Sequence, residues 1–173
     1  VRSLIFSISR CQGRLRRHHV RGDREMMAET LAGAIARERI LAVTVGGRPA
    51  PYDAVNGHIV LPPDALRAGE NRIEIEFLAG DESLNRNDDF LYSLFVPDRA
   101  SLAIPCFDQP NLKARWRLTL EVPAAWEAVS NGAEVRRETR GDRAVVEFAE
   151  TQPISTYLFA FATGAFRVET AER

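Results

Sequence analysis

One strictly alternating stretch constrains the fold of this chain more than any other feature. Between residues 116 and 122 the apolar side chains alternate with polar or charged ones, and the apolar set is Trp116, Leu118, Leu120 and Val122. A period of two residues is typical of a β-strand that has one face in the core and the other in water. The stretch therefore predicts a sheet with one buried face, as antiparallel sheets commonly have.

Turn signals flank this strand on both sides. The preceding loop, PCFDQP over 105–110, has a proline at each end. Each proline fixes its own φ and biases the residue before it toward extended geometry, so the loop is predicted to be stiff. After the strand, the dipeptide Asn131–Gly132 is the strongest short signal for a β-hairpin. We therefore expect a hairpin at that position.

Further short strands are predicted along the rest of the chain. Their approximate ranges are 3–9, 40–45, 57–61, 73–77, 90–96, 133–135, 144–148 and 157–162. The polar segment 79–89 is interpreted as a loop, and the nearly continuous apolar run at 90–96 is typical of a strand buried on both faces. Turn signals every eight to twelve residues favour an all-β, antiparallel sandwich or saddle.

The N-terminal segment departs from this pattern. Residues 1–40 hold nine arginines and four acidic residues, and residues 24–37 could form a helix capped by Asp23. Three interpretations are open: a genuine basic or targeting segment, a divergent insertion, or translation out of frame. We therefore separate residues 1–38, a divergent or mistranslated basic segment, from a β domain over 39–173. The structure of about 10–38 is left open between helix and disorder.

Composition excludes several classes of protein. Apolar residues make up 45% of the chain and charged residues 27%, which is typical of a soluble globular protein. The net charge of −1 offers no electrostatic reason to expect nucleic acid or an anionic membrane as a partner. We find no apolar run long enough for a transmembrane helix and no recognisable signal peptide, and the compartment is left unknown. Two cysteines, Cys11 and Cys106, cannot form a disulfide framework, and Cys106 is expected to be a buried apolar residue.

Three motifs in register carry a family resemblance. They are SLNRNDDFLYSLFVPDRA at 83–100, IPCFDQPNLKARWRLTLEVPAAWEAVSNG at 104–132 and TQPISTYLFAFATGAF at 151–166. Together they resemble the N-terminal domain of the aminopeptidase N family of zinc exopeptidases. The resemblance covers roughly residues 39–168. It implies a β domain that packs on a thermolysin-like catalytic domain in the same chain and walls the substrate channel, through which peptide substrates pass.

The catalytic motifs of that family are absent from this sequence. Family members hold zinc with an HExxH helix and a downstream Glu, and they read the substrate amine with a Gly-x-Met-Glu-Asn motif. None of the three histidines lies in such a pattern. We therefore expect no catalytic residue, metal or cofactor in this chain, with zinc in the catalytic domain of a parent aminopeptidase. The alternative is a free-standing β-sandwich used for binding or scaffolding.

The resemblance also indicates where substrate would approach. Family members use a Gln or Glu shortly before the proline loop to anchor the amino group of the peptide, and an ungapped match places Leu94 and Val96 there. Neither can bind an ammonium group, and Ser101 stands where an Arg is common. Asp98 is the nearest carboxylate and a candidate substrate-binding residue, with turn capping as the alternative. Asp108 is expected to accept hydrogen bonds from amides of its own loop.

Overall fold

The computed structural model describes residues 4–7, 30–32, 39–55, 57–67 and 70–169. Regular structure in these ranges is mostly β-strand, and every strand pairing is antiparallel. The strands are β1 (Leu4–Ser7), β2 (Thr30–Ala32), β3 (Ile40–Val45), β4 (Arg48–Pro49), β5 (Asp53–Val55), β6 (His58–Val60), β7 (Ile73–Phe77), β8 (Leu84–Arg86), β9 (Phe90–Ser93), β10 (Lys113–Ala114), β11 (Arg117–Pro123), β12 (Glu127–Ser130), β13 (Glu134–Arg140), β14 (Arg143–Phe148), β15 (Ile154–Ser155) and β16 (Phe161–Gly164). Short 3-10 helices lie at Pro63–Ala65, Ala100–Leu102 and Thr156–Leu158.

Two four-stranded sheets form the main body of the domain. The first sheet has the order β1-β11-β14-β13, and the second has the order β12-β16-β9-β8. Their inner faces contribute to one buried cluster, which includes Leu118, Leu120 and Val146 from the first sheet and Leu91 and Phe161 from the second. The predicted all-β, antiparallel sandwich is therefore confirmed.

The alternation in β11 determines which of its side chains enter this core. Leu118, Leu120 and Val122 are buried, and the neighbouring Arg117 points outward with its side chain 61% exposed. Trp116, just before the strand, is only 4% exposed, and its ring stacks on Phe159 with 4.3 Å between the ring centroids. The prediction drawn from the period of two residues is confirmed, and the buried half of the pattern is the centre of the core.

A second, smaller core lies beneath the N-terminal part of the domain. Sheets β4-β3-β7 and β2-β6-β5 surround it, and its buried residues are Ile40, Val43, Ile59 and Leu61. Phe77 packs against both cores and so joins them. Strands predicted at 40–45 and 73–77 are confirmed by β3 and β7, and Gly46–Gly47 forms the turn between β3 and β4.

The hairpin predicted at Asn131–Gly132 is wrong. β12 pairs with β16 in the second sheet, whereas β13 pairs with β14 in the first, so the dipeptide connects the two sheets. A Cβ on Gly132 would lie 2.0 Å from the carbonyl oxygen of Ala149, so the glycine permits a close backbone approach and not a left-handed turn. The Asn131 side chain bonds the backbone before β16, donating to Leu158 O (3.0 Å) and accepting from Ala160 N (2.7 Å).

Three other predictions need correction. The helix proposed over 24–37 is wrong at Thr30–Ala32, which form β2 and pair with β6; the rest of 10–38 lies outside the described residues. The segment 79–89, which was predicted to be a loop, contains β8. This strand lies at the edge of its sheet and carries the polar residues Asn85 and Arg86. The strand predicted at 157–162 begins as a 3-10 helix, and β16 follows it at Phe161–Gly164.

Candidate functional site

The candidate site lies where β9 ends and the chain turns toward the proline loop. Pairing with β8 continues one residue past the strand, because Leu94 N donates to Ser83 O at 3.0 Å. Phe95 is buried, whereas Leu94 and Val96 on either side of it are 60% and 50% exposed. The run at 90–96 was predicted to be buried on both faces, and that prediction is wrong among the described residues: only the face of Leu91, Ser93 and Phe95 is buried.

Asp98 occupies the turn that follows. Arg99 N donates to Val96 O at 3.1 Å, which closes a four-residue turn with Pro97 and Asp98 at its centre. Asp98 has φ of 65°, the left-handed conformation that the third position of a type II turn requires. Its side chain is exposed and makes no hydrogen bond or ion pair with any residue that the structure describes. The carboxylate therefore faces solvent beside Val96 and does not cap the turn through its side chain.

Buried polar contacts hold the base of this turn. Asp108 is 5% exposed, and its Oδ2 accepts from Ser101 N at 3.0 Å, in the 3-10 helix and not in its own loop as predicted. The other carboxylate oxygen, Oδ1, is buried without a hydrogen-bond partner in the described part of the chain. Loop 105–110 is further tied to the last 3-10 helix, because Thr156 Oγ1 donates to Phe107 O at 2.7 Å. The loop is therefore hydrogen-bonded both to the 3-10 helix that follows the Asp98 turn and to the last 3-10 helix.

Charged groups with clearly shifted pKa values lie elsewhere. A hydrogen bond from Arg140 lowers the pKa of Glu138, and a hydrogen bond from Thr44, followed by one from Arg72, lowers that of Glu74. A hydrogen bond to Glu134 raises the pKa of Arg137. All three residues belong to ion pairs or hydrogen bonds on strand surfaces, and these shifts mark no acid–base pair at the turn.

Within the ranges that the structure covers, no three His, Cys, Asp or Glu side chains are grouped so that they could hold an ion. His58 lies exposed in β6, and Cys106 is buried in the main core as predicted, while Cys11 lies outside the described residues. The helices described here are three-residue 3-10 turns, too short to cross a bilayer.

Comparison with known proteins identifies the domain. Residues 82–158 match the Peptidase M1 N-terminal domain family. Curated relatives include probable M1 family aminopeptidase 1 of Encephalitozoon cuniculi, 36% identical over 112 residues, and a leucyl aminopeptidase of Saccharolobus solfataricus, 35% identical over 98 residues. These matches cover 59% and 56% of this chain but only 13% and 12% of the relatives, so the chain spans a small part of their length.

Solved structures show the same fold. The M1 zinc metallopeptidase of Deinococcus radiodurans superimposes with a TM-score of 0.66 at 24% identity, covering 83% of this chain and 35% of that one. A two-domain M1 zinc metallopeptidase bound to L-arginine gives a TM-score of 0.67 with 36% of its chain covered. The chain therefore shares the fold of these structures over most of its length. Residues 82–158 of this chain carry the M1 N-terminal domain match, and the relatives of this region are M1 aminopeptidases, as the motifs predicted.

One feature of the site was missed by sequence reasoning. The apolar run at 90–96 was interpreted as an interior strand, but its alternate residues Phe90, Tyr92, Leu94 and Val96 lie on the outer side. The sequence carried no signal for this exposure, because a strand exposed on one side normally alternates with polar residues and this one does not.

Proposed function

We propose that this chain is the N-terminal domain of a zinc metallo-aminopeptidase that releases N-terminal amino acids from peptides. In this proposal a thermolysin-like catalytic domain in the same protein holds the zinc, and the β domain walls its substrate channel. The match of residues 82–158 to the M1 N-terminal domain supports the proposal most strongly. The sequence itself contains no HExxH motif, so the 173 residues alone are expected to be inactive.

Three measurements test this proposal. The DNA downstream of the codon for Arg173 should continue into a frame that encodes HExxH and a later Glu. The isolated chain should release no product from amino-acid anilides and should retain no stoichiometric zinc after dialysis. A stop codon followed by an unrelated gene would favour the free-standing binding module. One tightly held zinc per chain, or turnover abolished by a chelator, would contradict the proposal that zinc binding and catalysis belong to the catalytic domain.

Asp98 is the residue of this domain that we propose contacts the substrate. Its carboxylate is exposed, makes no hydrogen bond or ion pair with other described residues, and lies on a turn closed by the Arg99–Val96 hydrogen bond. Leu94 and Val96 nearby offer only apolar surface. A carboxylate at this place could pair with the α-ammonium group of a peptide, in place of the polar side chains that the family resemblance leads one to expect.

Substitution in the full enzyme tests this role. Asp98→Asn should raise KM for a dipeptide about two- to fivefold, the size expected for one solvent-exposed ion pair, with kcat nearly unchanged. Asp142→Asn is the matched control, because Asp142 is an exposed aspartate in the turn between β13 and β14. Equal KM values for the two variants would mean that Asp98 contributes only to the turn and does not contact the substrate.

A further inference from the structure

The connection between β12 and β13 carries the dipeptide Asn131–Gly132, which the proposed function does not use. This connection spans residues 131–133 and joins the second sheet to the first, and we call it the crossover. Asn131 is exposed to solvent. Asparagine is a chemically labile residue, and a following glycine makes it more so, because no side chain hinders the glycine nitrogen from approaching the asparagine amide. The dipeptide is therefore reactive unless the fold restrains it.

The fold restrains the side-chain amide of Asn131 through both of its polar groups. Nδ2 donates to Leu158 O at 3.0 Å, and Oδ1 accepts from Ala160 N at 2.7 Å. Ser130 and Phe161 are the last pair between β12 and β16, and the Asn131 amide extends this pairing by one residue. Ser130 Oγ donates to Ala160 O at 2.8 Å and closes the same place. The amide is thereby held against a segment that lies 27 to 29 residues away in the sequence.

The backbone of Gly132 is restrained as well. It lies so close to the residue after β14 that an added Cβ would be 2.0 Å from Ala149 O. On the next residue, Ala133 O accepts a hydrogen bond from Ala149 N at 2.8 Å. Gly132 therefore has little room to turn its nitrogen toward the side chain of Asn131.

We infer that Asn131–Gly132 is a deamidation site whose reaction is controlled by local opening of the crossover. In the opened chain, Gly132 N loses its proton to solvent hydroxide and forms a bond to Cγ of Asn131. The Cγ–Nδ2 bond then breaks, and Nδ2 takes up a proton from solvent and leaves as ammonia. Water adds to either carbonyl carbon of the resulting succinimide ring and opens it to aspartate or isoaspartate. Water is the only co-reactant, and nothing is oxidised or reduced.

In the closed crossover this ring cannot form. Attack by Gly132 N makes Cγ tetrahedral and turns the amide back toward its own backbone, so the hydrogen bonds to Leu158 and Ala160 have to break first. The contact between Gly132 and Ala149 O has to relax as well. The reaction rate therefore follows the population of chains in which this part of the sandwich has opened.

The products cannot restore the closed crossover. Ionised aspartate has no donor in place of Nδ2, so one of its oxygens would face Leu158 O without a proton between them. Isoaspartate also routes the main chain through Cγ, which adds a carbon atom to the backbone beside the close contact of Gly132 with Ala149. Each modified chain therefore keeps a weakened junction between the two sheets.

Peptide mapping by mass spectrometry tests the inference on the 173-residue chain, kept at mildly alkaline pH with and without guanidinium chloride. Deamidation of Asn131 should be at least about tenfold slower in the folded chain, because two hydrogen bonds must break first. Asn56–Gly57 is the sequence-matched reference, and in denaturant the two asparagines should react at similar rates. Equal rates for Asn131 in the folded and denatured chains would overturn the inference. Aspartate without isoaspartate in the product would exclude the succinimide route.

A pair of serine variants tests whether the opening is local. Ser130→Ala removes the hydroxyl that donates to Ala160 O and leaves the dipeptide intact, so deamidation of Asn131 in the folded chain should accelerate about two- to tenfold. Ser155→Ala is the matched control, because Ser155 Oγ also donates to a backbone carbonyl, that of Pro110, at 2.6 Å in another part of the fold. The control should react at the wild-type rate. Equal acceleration of both variants would mean that Asn131 reacts only on global unfolding, and that result, or an unchanged rate in Ser130→Ala, would overturn local control.

Discussion

The two sheets of the sandwich have similar inner faces and opposite outer faces. Inside, both contribute aliphatic and aromatic side chains to one buried cluster. Outside, the first sheet has a polar face, made of Arg117, Thr119, Glu121, Arg136, Glu138 and Glu147. Charges on it are paired, as Arg136 and Glu147 are at 3.5 Å. The second sheet has an apolar face, made of Phe90, Tyr92, Leu94, Val96, Val129 and Ala162. The inner faces explain how the chain folds, whereas the outer faces differ in their chemistry.

The largest effect should come from the shared core. Trp116→Ala should destabilise the domain by roughly 3–5 kcal/mol, the usual loss for emptying an aromatic core site. Its ring stacks on Phe159, and its Nε1 has no hydrogen-bond partner among the described residues, so the loss is one of packing. Arg117→Ala, on the polar face, should cost about 0.5 kcal/mol or less. Similar losses in the free energy of unfolding for both variants, measured by urea titration, would contradict the assignment of Trp116 to the buried face and Arg117 to the outer face.

The crossover between the two sheets should be the next most sensitive point. Gly132→Ala should cost roughly 1–3 kcal/mol, because the new Cβ meets the backbone of Ala149 and a backbone contact can only be relieved by a shift. Gly141→Ala is the control, since a Cβ there meets nothing within 4 Å and only the φ of 63° opposes it. Thermal unfolding should rank Gly132→Ala as the more destabilising variant. If Gly141→Ala were instead the more destabilising variant, the backbone around Gly132 and Ala149 could shift with little loss of stability.

Exposure of the apolar face should show as self-association. At roughly 25 cal/mol for each Å² of apolar surface left in water, the isolated domain should associate at micromolar concentration. Strand edges that pair with no described strand, such as the outer edge of β8, can add to this tendency. Val129→Asp should reduce the association and Val135→Asp, in β13 of the other sheet, should not, as measured by light scattering. Co-expression with the catalytic domain should also keep the wild-type chain in solution. A stable monomer that ignores that partner would favour a free-standing module.

The sequence predicted the buried faces of the strands better than their outer faces. Period and turn residues identified β3, β7, β11 and the fold class, because burial on one face leaves a pattern of two residues in the local sequence. Pairing partners are not always local. Asn131–Gly132 carries a hairpin signal, yet the strands on either side join different sheets, because β12 pairs with the distant β16 whereas β13 pairs with the adjacent β14.

The candidate site shows the same division. Asp98 was selected by resemblance, and the structure adds only that its carboxylate is exposed on a closed turn. Asp108 was expected to bond its own loop but accepts from Ser101, seven residues before it. The apolar run at 90–96 predicted two buried sides, and only one of them is buried among the described residues.

The smallest expected effect concerns the ion pairs of the polar face. Glu138 accepts hydrogen bonds from Arg140 at 2.8 and 3.0 Å and from Arg136 at 3.1 Å. The hydrogen bond and charge of Arg140, then the charge of Arg136, lower its pKa below the ordinary 4.5. A lowered pKa in the folded state means that the contribution to stability is complete above 4.5 and is lost as the pH falls through the lowered value. Exposure and salt keep this contribution small.

Glu138→Gln should therefore lower the urea midpoint slightly near neutral pH, and the difference from the wild type should shrink as the solution is acidified. Added salt should shrink it as well, because exposed charges are screened. Glu82→Gln is the control, since Glu82 is exposed beside β8 and forms no ion pair with the residues that the structure describes. A difference that grew on acidification would reverse the sign of the linkage. A large loss of stability at neutral pH would mean that the ion pairs of the polar face contribute substantially to folding. The two faces would then differ in their contribution to stability as well as in their chemistry.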